Sequence, residues 1–292
     1  MSRRPDGTHP LFGGTVLCQR QNRASVTALS AAGSSGSAKQ SASCGWSEGA
    51  PPQRAWVRLD SGVTPTSTMA RKFVSGINGK LDFDFACNRG HGFGEAHLHG
   101  LLIEIIASNI NPRTHNILPS YPAPEIQRAD AGAGRKREID FAVVTRSDEP
   151  RPLLCVEAKW AGSSHARAEN VLYDVARLAL ISQENPETEC LFVLAGGKSA
   201  VAKLFETGVL AVHGSGASGR RLIRHPQRPG ESTYYLRSGP GYTTTLPHAM
   251  QVKLAGKLPV VPARVRSKLY RPPHSGAPDW AVYVWRIAGR AR

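Results

Sequence analysis

Three charged side chains interrupt two apolar stretches near the middle of the chain. Asp140 lies in the stretch from Arg137 to Val144, and Glu157 and Lys159 lie in the stretch from Pro152 to Trp160. A charge inside an apolar strand is costly unless another group pairs with it. Converging carboxylates repel one another unless a cation lies between them, and oxygen ligands suit a hard cation such as Mg²⁺. The pattern therefore indicates a site rather than a requirement of the fold.

Both stretches are predicted to be β-strands, because they are apolar, rich in β-branched residues and joined by a polar turn from Thr145 to Pro150. Successive side chains of a strand point to opposite faces, so Glu157 and Lys159 share one face with Cys155. The apolar residues between them point the other way, into a core. The alternative is that Glu157 and Lys159 merely pair on a strand edge while Asp140 caps the turn.

A helix is predicted from Phe93 to Ile110 and supplies a further acid. At about 100° per residue, Glu95 lies near the centre of the apolar face, and Glu104 lies roughly opposite and should be solvated. His99, four residues after Glu95, shares its flank. The apolar face is formed by Leu98, Leu102, Ile105 and Ile106. Glu95 is therefore a candidate site residue, the alternative being a first-turn acid favoured by the helix dipole.

The remaining pattern alternates helices and strands, which predicts an α/β domain with a mixed central sheet flanked by helices. After Lys159 a turn with a capping serine should lead into a helix whose polar side carries Asn170, Asp174 and Arg177. The other predicted elements are an edge strand Gly79–Ala86, a strand Ile117–Tyr121, that helix His165–Gln183, a strand Cys190–Ala195, a helix Ser199–Glu206 and strands Val209–His213 and Trp280–Ile287.

The pattern of charged residues resembles the motif of the PD-(D/E)XK nuclease superfamily. Asp140 is followed seventeen residues later by Glu157, which begins an acid-x-lysine triplet, and Glu95 points inward from an upstream helix. In that family an acid on one strand and an acid-x-lysine on the next meet where the strands diverge, and a helix often adds another acid. The resemblance covers roughly residues 93–213, plus the final strand, and implies a restriction-endonuclease-like core. The chain departs from the motif at Ile139, where a proline would precede the first acid.

The resemblance implies a metal-dependent nuclease, a hydrolase of phosphodiester bonds with DNA as the expected substrate. Glu95, Asp140 and Glu157 would hold Mg²⁺ or Mn²⁺. Lys159 would hold or help to deprotonate the attacking water and offset charge on the phosphate. A zinc site at His91, His97 and His99 is a weaker reading, because no further Cys or His has suitable spacing.

The charge distribution separates an acidic site from a basic region. The 292 residues carry a formal charge of +15. Residues 69–213 have 16 basic and 17 acidic side chains, which gives a net charge of −1. Residues 214–292 have 14 basic and 2 acidic side chains, which gives a net charge of +12. This basic segment fits a polyanion such as nucleic acid, although a solvated face is the plainer reading. Two rivals to the nuclease are a nucleic-acid-binding module of the same fold that does not cut, and a structural or interaction protein with an acidic partner.

Residues 1–68 are dominated by Ser, Gly, Ala, Pro and Gln, which predicts either a disordered extension or a sequence upstream of a true start at Met69. The predicted domain is 69–292. Five scattered cysteines without a C-x-x-C pair fit reduced thiols, hence a cytoplasmic location. No apolar run approaches the roughly 20 residues of a membrane span, so no membrane is expected. A homodimer is left open.

Overall fold

The structure, a computed structural model, describes residues 68–128, 136–206, 208–211, 221–226, 230–272 and 279–290. Its strands are β1 His115–Tyr121, β2 Ile139–Thr145, β3 Pro152–Ala161, β4 Glu189–Gly197, β5 Gly230–Tyr235, β6 Arg264–Tyr270 and β7 Trp280–Arg290. Within the described residues they form one seven-stranded sheet in the order β1-β2-β3-β4-β7-β6-β5. The β3–β4 pair is parallel and the other neighbouring pairs are antiparallel. The predicted α/β architecture with a mixed sheet is confirmed.

The helices cover both faces of this sheet. They are α1 Thr68–Ala86, α2 Glu95–Ala107, α3 Ala168–Glu184, α4 Lys198–Leu204 and α5 His248–Lys257. α1 and α2 pack on one face and α3 packs on the other, so the domain has two apolar layers. In α2, Leu98, Leu102 and Ile106 are fully buried, and burial of each such side chain stabilises the fold by about 1.5–3 kcal/mol.

α3 connects the parallel strands β3 and β4 and packs closely on β7. A Cβ atom added at Gly289 would lie only 1.8 Å from the carbonyl oxygen of Ala179 in α3. Only glycine allows the two backbones to approach this closely. The contact fixes α3 over the centre of the sheet, which determines which of its side chains reach β3.

The sequence prediction is confirmed for β1, β2, β3, β4, α2, α4 and β7 to within a few residues at each end. The predicted edge strand Gly79–Ala86 is wrong, because these residues form the last turns of α1. The predicted strand Val209–His213 is also wrong where it is described, since Gly208–Leu210 is a 3₁₀ turn. α3 begins at Ala168 rather than His165, after Arg167, and no serine side chain caps it.

Some predictions concern other parts of the chain. The predicted disordered extension lies outside the described residues except for Thr68, where α1 begins. The described cysteines, Cys87, Cys155 and Cys190, are free thiols. None of the helices in the described ranges is both long enough and apolar enough to cross a membrane.

Candidate active site

The strands β2 and β3 separate at Asp140. Phe141 and Val156 are the last paired residues at this end of the antiparallel ladder. Beyond them, the backbone N–H of Ala158 donates to Oδ2 of Asp140 at 2.8 Å. The carboxylate thus replaces a ladder hydrogen bond, and it brings Asp140 to the part of β3 that carries Glu157 and Lys159.

Glu157 is completely buried and faces α3. An Arg177 guanidinium nitrogen lies 2.6 Å from Oε1 of Glu157 and 2.5 Å from Oδ1 of Asp174. The contact with Asp174 is a hydrogen bond, whereas the contact with Glu157 is an ion pair without hydrogen-bond alignment. Among the residues that the structure describes, neither carboxylate oxygen of Glu157 has a hydrogen-bond partner. Arg177 also donates to the backbone carbonyl oxygen of Glu138 at 2.9 Å, which holds the guanidinium between β2, β3 and α3.

Lys159 is the second charged centre on the same face of β3. Its Nζ lies 3.2 Å from Oδ2 of Asp174 and 3.8 Å from Oε1 of Glu95. It also donates to the carbonyl oxygen of Ala158 at 3.1 Å. The other oxygen of Glu95 accepts from the Ser163 hydroxyl at 3.4 Å. The ammonium group is therefore held between an acid of α2 and an acid of α3.

These six side chains form one charge cluster: Glu95, Asp140, Glu157, Lys159, Asp174 and Arg177. Burial raises the pKa of Glu157 well above its usual range, and the negative charge of Asp174 raises it further. Burial alone would lower the pKa of Lys159, but the charges of Asp174 and Glu157 raise it above the ordinary value. Arg177 likewise keeps its charge, since Glu157 and Asp174 outweigh burial and raise its pKa.

The structure brings the four predicted site residues into this cluster. Lys159 contacts Glu95, while Asp140 binds the backbone between Glu157 and Lys159. β3 lies between β2 and β4, so the alternative that Glu157 and Lys159 pair on a strand edge is wrong. Glu95 is in the first turn of α2, as the helix-dipole alternative expects, and it faces Lys159 as well.

Two members of the cluster, Asp174 and Arg177, were predicted on the polar side of α3 but not as site residues. Asp174 is only 4 % exposed, and Arg177 is an ion-pair partner of Glu157. A signal existed in the sequence: two charges on the α3 face of a buried strand require counter-ions, and a nearby helix with charges three residues apart can supply them. His99 was noted only as flanking Glu95, and its Nε2 lies 3.7 Å from Oδ2 of Asp140.

A cleft of about 430 Å³ opens beside the charge cluster between α2, α3 and the end of α5. Acids and cations both line it, and Lys159 is among the lining residues. The Lys257 ammonium group at the end of α5 lies 3.8 Å above the ring of Tyr173. The lining residues that carry or can carry positive charge are Arg137, Lys159, His165, Arg177 and Lys257. The cleft can therefore receive an anionic group next to the acids.

The acids fit a hard divalent cation in charge and in ligand type. No three His, Cys, Asp or Glu side chains in the described ranges lie close enough together to form a metal site by themselves. Both oxygens of Glu157 are nevertheless buried without a hydrogen bond from any described residue, although Oε1 forms an ion pair with Arg177. The charge of Asp140 also acts on Glu157. Mg²⁺ is commonly bound by one or two carboxylates, with water and phosphate oxygens completing its shell. Asp140 and Glu157 supply two such carboxylates.

Charge balance leads to the same conclusion. The cluster contains four acids and two bases, which gives a net charge of −2 when all are ionised. One divalent cation would balance this charge. Without a cation, the raised pKa of Glu157 allows a proton to remove part of the imbalance. A proton and a divalent cation would therefore compete for Glu157.

Comparisons of the chain with protein-family models, with curated proteins and with solved structures found no match.

Proposed function

We propose that the protein is a metal-dependent nuclease that hydrolyses phosphodiester bonds, with DNA as the expected substrate. The observation that carries the proposal is the convergence of Asp140, Glu157 and Lys159 where β2 and β3 separate. The Glu157 oxygens are buried there, without hydrogen bonds from the described part of the chain. Buried ionisable groups with perturbed pKa values beside a cleft are typical of catalytic sites.

The local architecture supports the resemblance to the PD-(D/E)XK superfamily. An acid on one strand and an acid-x-lysine on the next lie where those strands diverge, α2 precedes them with Glu95, and α3 follows. We propose on this basis that the domain has a restriction-endonuclease-like core. Fold-level likeness alone would not establish the activity, so the functional proposal depends on the charge cluster.

Asp140 and Glu157 would hold Mg²⁺ or Mn²⁺. Glu95, the third predicted ligand, lines the cleft beside the charge cluster from α2. The bound ion would polarise a phosphoryl oxygen and lower the pKa of a bound water. Arg177 fixes the orientation of the Glu157 carboxylate through its contacts with Asp174 and with the Glu138 carbonyl oxygen. Arg177 is therefore a positioning residue.

Lys159 keeps its proton in this environment, because the neighbouring acids raise its pKa. It can orient the attacking water and offset charge on the phosphate, but it is a poor proton acceptor. The proton that the water loses therefore passes to a carboxylate. Glu95 is suited to accept it, since its side chain is 28 % exposed, against 6 % for Asp174, and contacts Nζ of Lys159. A bond from the water oxygen to phosphorus forms, the bond to the leaving oxygen breaks, and that oxygen takes a proton from solvent. Glu95 then returns its proton to solvent.

A basic row on β6 offers a surface for the rest of the polyanion. Arg264, Arg266 and Lys268 alternate with buried Val265 and with Ser267, so their side chains share the outer face of the strand. Arg266 and Lys268 are about half exposed and share one acid on β5 as partner, at 3.2 and 3.6 Å. Such a row can exchange that partner for phosphates, which would make binding salt-dependent.

The test is incubation of the full 292-residue chain with supercoiled plasmid and with linear DNA, in Mg²⁺, in Mn²⁺ and in chelator. We expect cleavage with either metal and none with chelator. Lys159→Ala should slow cleavage by about 10²- to 10³-fold, whereas Lys72→Ala should not, because Lys72 lies on α1, far along the chain from Lys159, and bonds Asn109. Metal-dependent cleavage by Lys159→Ala at the wild-type rate would refute the mechanism.

The same experiment separates the rival functions. DNA that is shifted in a gel but not cut would favour the nucleic-acid-binding module. Absence of both cutting and salt-sensitive binding would favour the structural or interaction protein. RNA of the same length, run in parallel, decides which nucleic acid is the substrate.

A further inference from the structure

Aromatic side chains gather beside the charge cluster, on the opposite face of β3 from Lys159. Trp160 follows Lys159 directly, and Phe93 precedes Glu95 by two residues. Trp280 opens β7 and contacts both, with ring centroids 5.7 Å from Trp160 and 4.9 Å from Phe93. Phe85, at the end of α1, extends the group to a fourth ring, 6.2 Å from Trp280. We call these four residues the aromatic platform.

The platform is open to solvent on one side. Phe85 is 42 % exposed, Phe93 and Trp280 are half-buried, and Trp160 is buried beneath them. The rest of this core layer is mainly aliphatic, with Phe73, Phe141 and Tyr270 as its other aromatic residues, whereas the four platform rings gather at its exposed end. Large exposed aromatic surfaces commonly mark a binding site.

Basic side chains lie next to the platform. Asp84, which is nearly fully buried, draws three of them together: Lys80 at 3.3 Å, Arg89 at 3.5 Å and His97 at 3.5 Å. The His97 ring also stacks on Phe93 at 5.2 Å. The Arg89 side chain is 65 % exposed, so it can reach a phosphate group while the rings contact an adjoining base. Aromatic rings beside exposed cations are the features with which proteins bind unpaired nucleotides.

The position of the platform links it to the reaction. Phe93 and Glu95 are separated by a single glycine at the start of α2, and Trp160 adjoins Lys159 in β3. The platform therefore lies next to the cluster along both segments, two residues from Glu95 and one residue from Lys159, with the Trp160 ring on the other face of β3. A base inside a duplex has both faces covered by its neighbours and cannot stack on a protein ring.

We propose that the aromatic platform stacks an unpaired base of the substrate, so that the nuclease acts on nucleic acid with single-stranded character at or next to the cleaved bond. This proposal deepens the proposed function and depends on it. The substrate class would be single strands, overhangs or junctions rather than uninterrupted duplex.

Fluorescence anisotropy with labelled oligonucleotides in chelator tests the proposal without any requirement for cleavage. The probes are a single strand, a blunt duplex and a duplex with an overhang, all of one length. We expect the wild-type chain to prefer the two probes with unpaired bases, and Trp280→Ala to weaken their binding by about five- to 150-fold while duplex affinity stays unchanged. Trp280→Phe retains a ring and should keep most of the affinity.

Two controls separate folding from recognition. Tyr242→Ala removes a ring from another stacked aromatic pair, Tyr235 and Tyr242, with centroids 4.4 Å apart, and should leave the preference intact. Phe85→Ala removes the most exposed platform ring and should weaken binding to unpaired bases by part of the amount expected for Trp280→Ala. It serves as the test if Trp280→Ala folds poorly. Circular dichroism reports whether each variant is folded.

The outcomes distinguish the two proposals. The platform proposal would be overturned if the wild-type chain bound single strand and blunt duplex equally well. It would also be overturned if folded Trp280→Ala and Phe85→Ala both kept the wild-type affinity. In either case, metal-dependent cleavage of duplex would still support the nuclease. Absence of both binding and cleavage with all probes would overturn the proposed function and the platform together.

Discussion

Replacement of Glu157 by glutamine probes the charge cluster while the shape of the side chain stays the same. Glu157 is completely buried, and burial together with the charges of Asp174 and Asp140 holds its pKa well above the usual range. The carboxyl group therefore keeps a proton to higher pH in the folded protein than in the unfolded chain. A divalent cation that binds to Glu157 must displace this proton.

The raised pKa of Glu157 has a definite sign in the pH dependence of stability. The stabilisation from the protonated group is fully present below its unfolded-state pKa and is lost as the pH rises through the folded-state pKa. Between these values, one extra proton bound by the folded state lowers the free energy of unfolding by about 1.4 kcal/mol per pH unit. For a domain of this size, this corresponds to about 3 to 6 °C in Tm per pH unit. Glu157→Gln should remove this part of the decline.

Thermal unfolding from about pH 5 to 8, in chelator and in Mg²⁺, measures both effects. In chelator, we expect Glu157→Gln to gain stability relative to wild type as the pH rises. Mg²⁺ at ten times its dissociation constant should stabilise wild type by about 1.4 kcal/mol and leave the variant unchanged. Glu104→Gln, on the exposed side of α2, is the control. A difference between wild type and variant that does not change with pH would refute the raised pKa. An equal Mg²⁺ response would refute Glu157 as a ligand.

Three further substitutions test the site and the fold. Lys159→Ala should slow cleavage by about 10²- to 10³-fold in a plasmid-nicking assay, because the loss of one charge-stabilising donor affects mainly the transition state. The affinity for oligonucleotides should change little, and a loss of affinity as large as the loss of rate would contradict this role. Arg177→Ala leaves Glu157 without its cation and should destabilise the protein by about 3–5 kcal/mol in urea unfolding, with a smaller loss for Arg177→Lys. Gly289→Ala should destabilise the protein strongly, because the added Cβ would meet a backbone carbonyl oxygen of α3. Gly79→Ala, whose Cβ would have nothing within 4 Å, should stabilise the protein by about 0.5–1 kcal/mol. A stable Gly289→Ala variant would contradict the packing of α3 on β7.

Local sequence patterns were sufficient to predict a helix or strand where the apolar residues followed a single period. The phase of α2 distinguished Glu95 from Glu104 correctly, because Leu98 and Leu102 define a single buried face. The alternation from Leu81 to Phe85 was misleading, because two exposed phenylalanines happened to follow a strand period. The helical spacing of buried residues runs further upstream, through Phe73, Val74, Ile77 and Leu81. A longer window would have favoured α1.

Local periodicity did not predict the strand β6 or the burial of the charged residues of α3. β6 alternates exposed Arg266 and Lys268 with buried Val265 and Leu269, a strand signal that the surrounding Gly- and Pro-rich sequence obscured. The burial of Asp174 and Arg177 depends on tertiary packing, because α3 must cross β3 before their charges can meet Glu157 and Lys159. Sequence spacing shows that these charges exist, but only the packing of helix on strand pairs them.

The sheet itself does not require the charge cluster, which is the strongest physical argument that the cluster is functional. The residues of β4 that pair with Glu157 and Lys159 are Phe192 and Leu194, and both are fully buried and apolar. Apolar residues on β3 would therefore suit the same layer, and replacing buried ion pairs by such residues is often neutral or stabilising. The chain instead places four acids and two bases at this end of β3, with Glu157 and Asp174 buried and Glu95 and Asp140 partly exposed. A bound cation would balance the net charge of −2 that the cluster carries when all six groups are ionised. The basic row of β6, which we propose to bind a polyanion, lies outside the cluster.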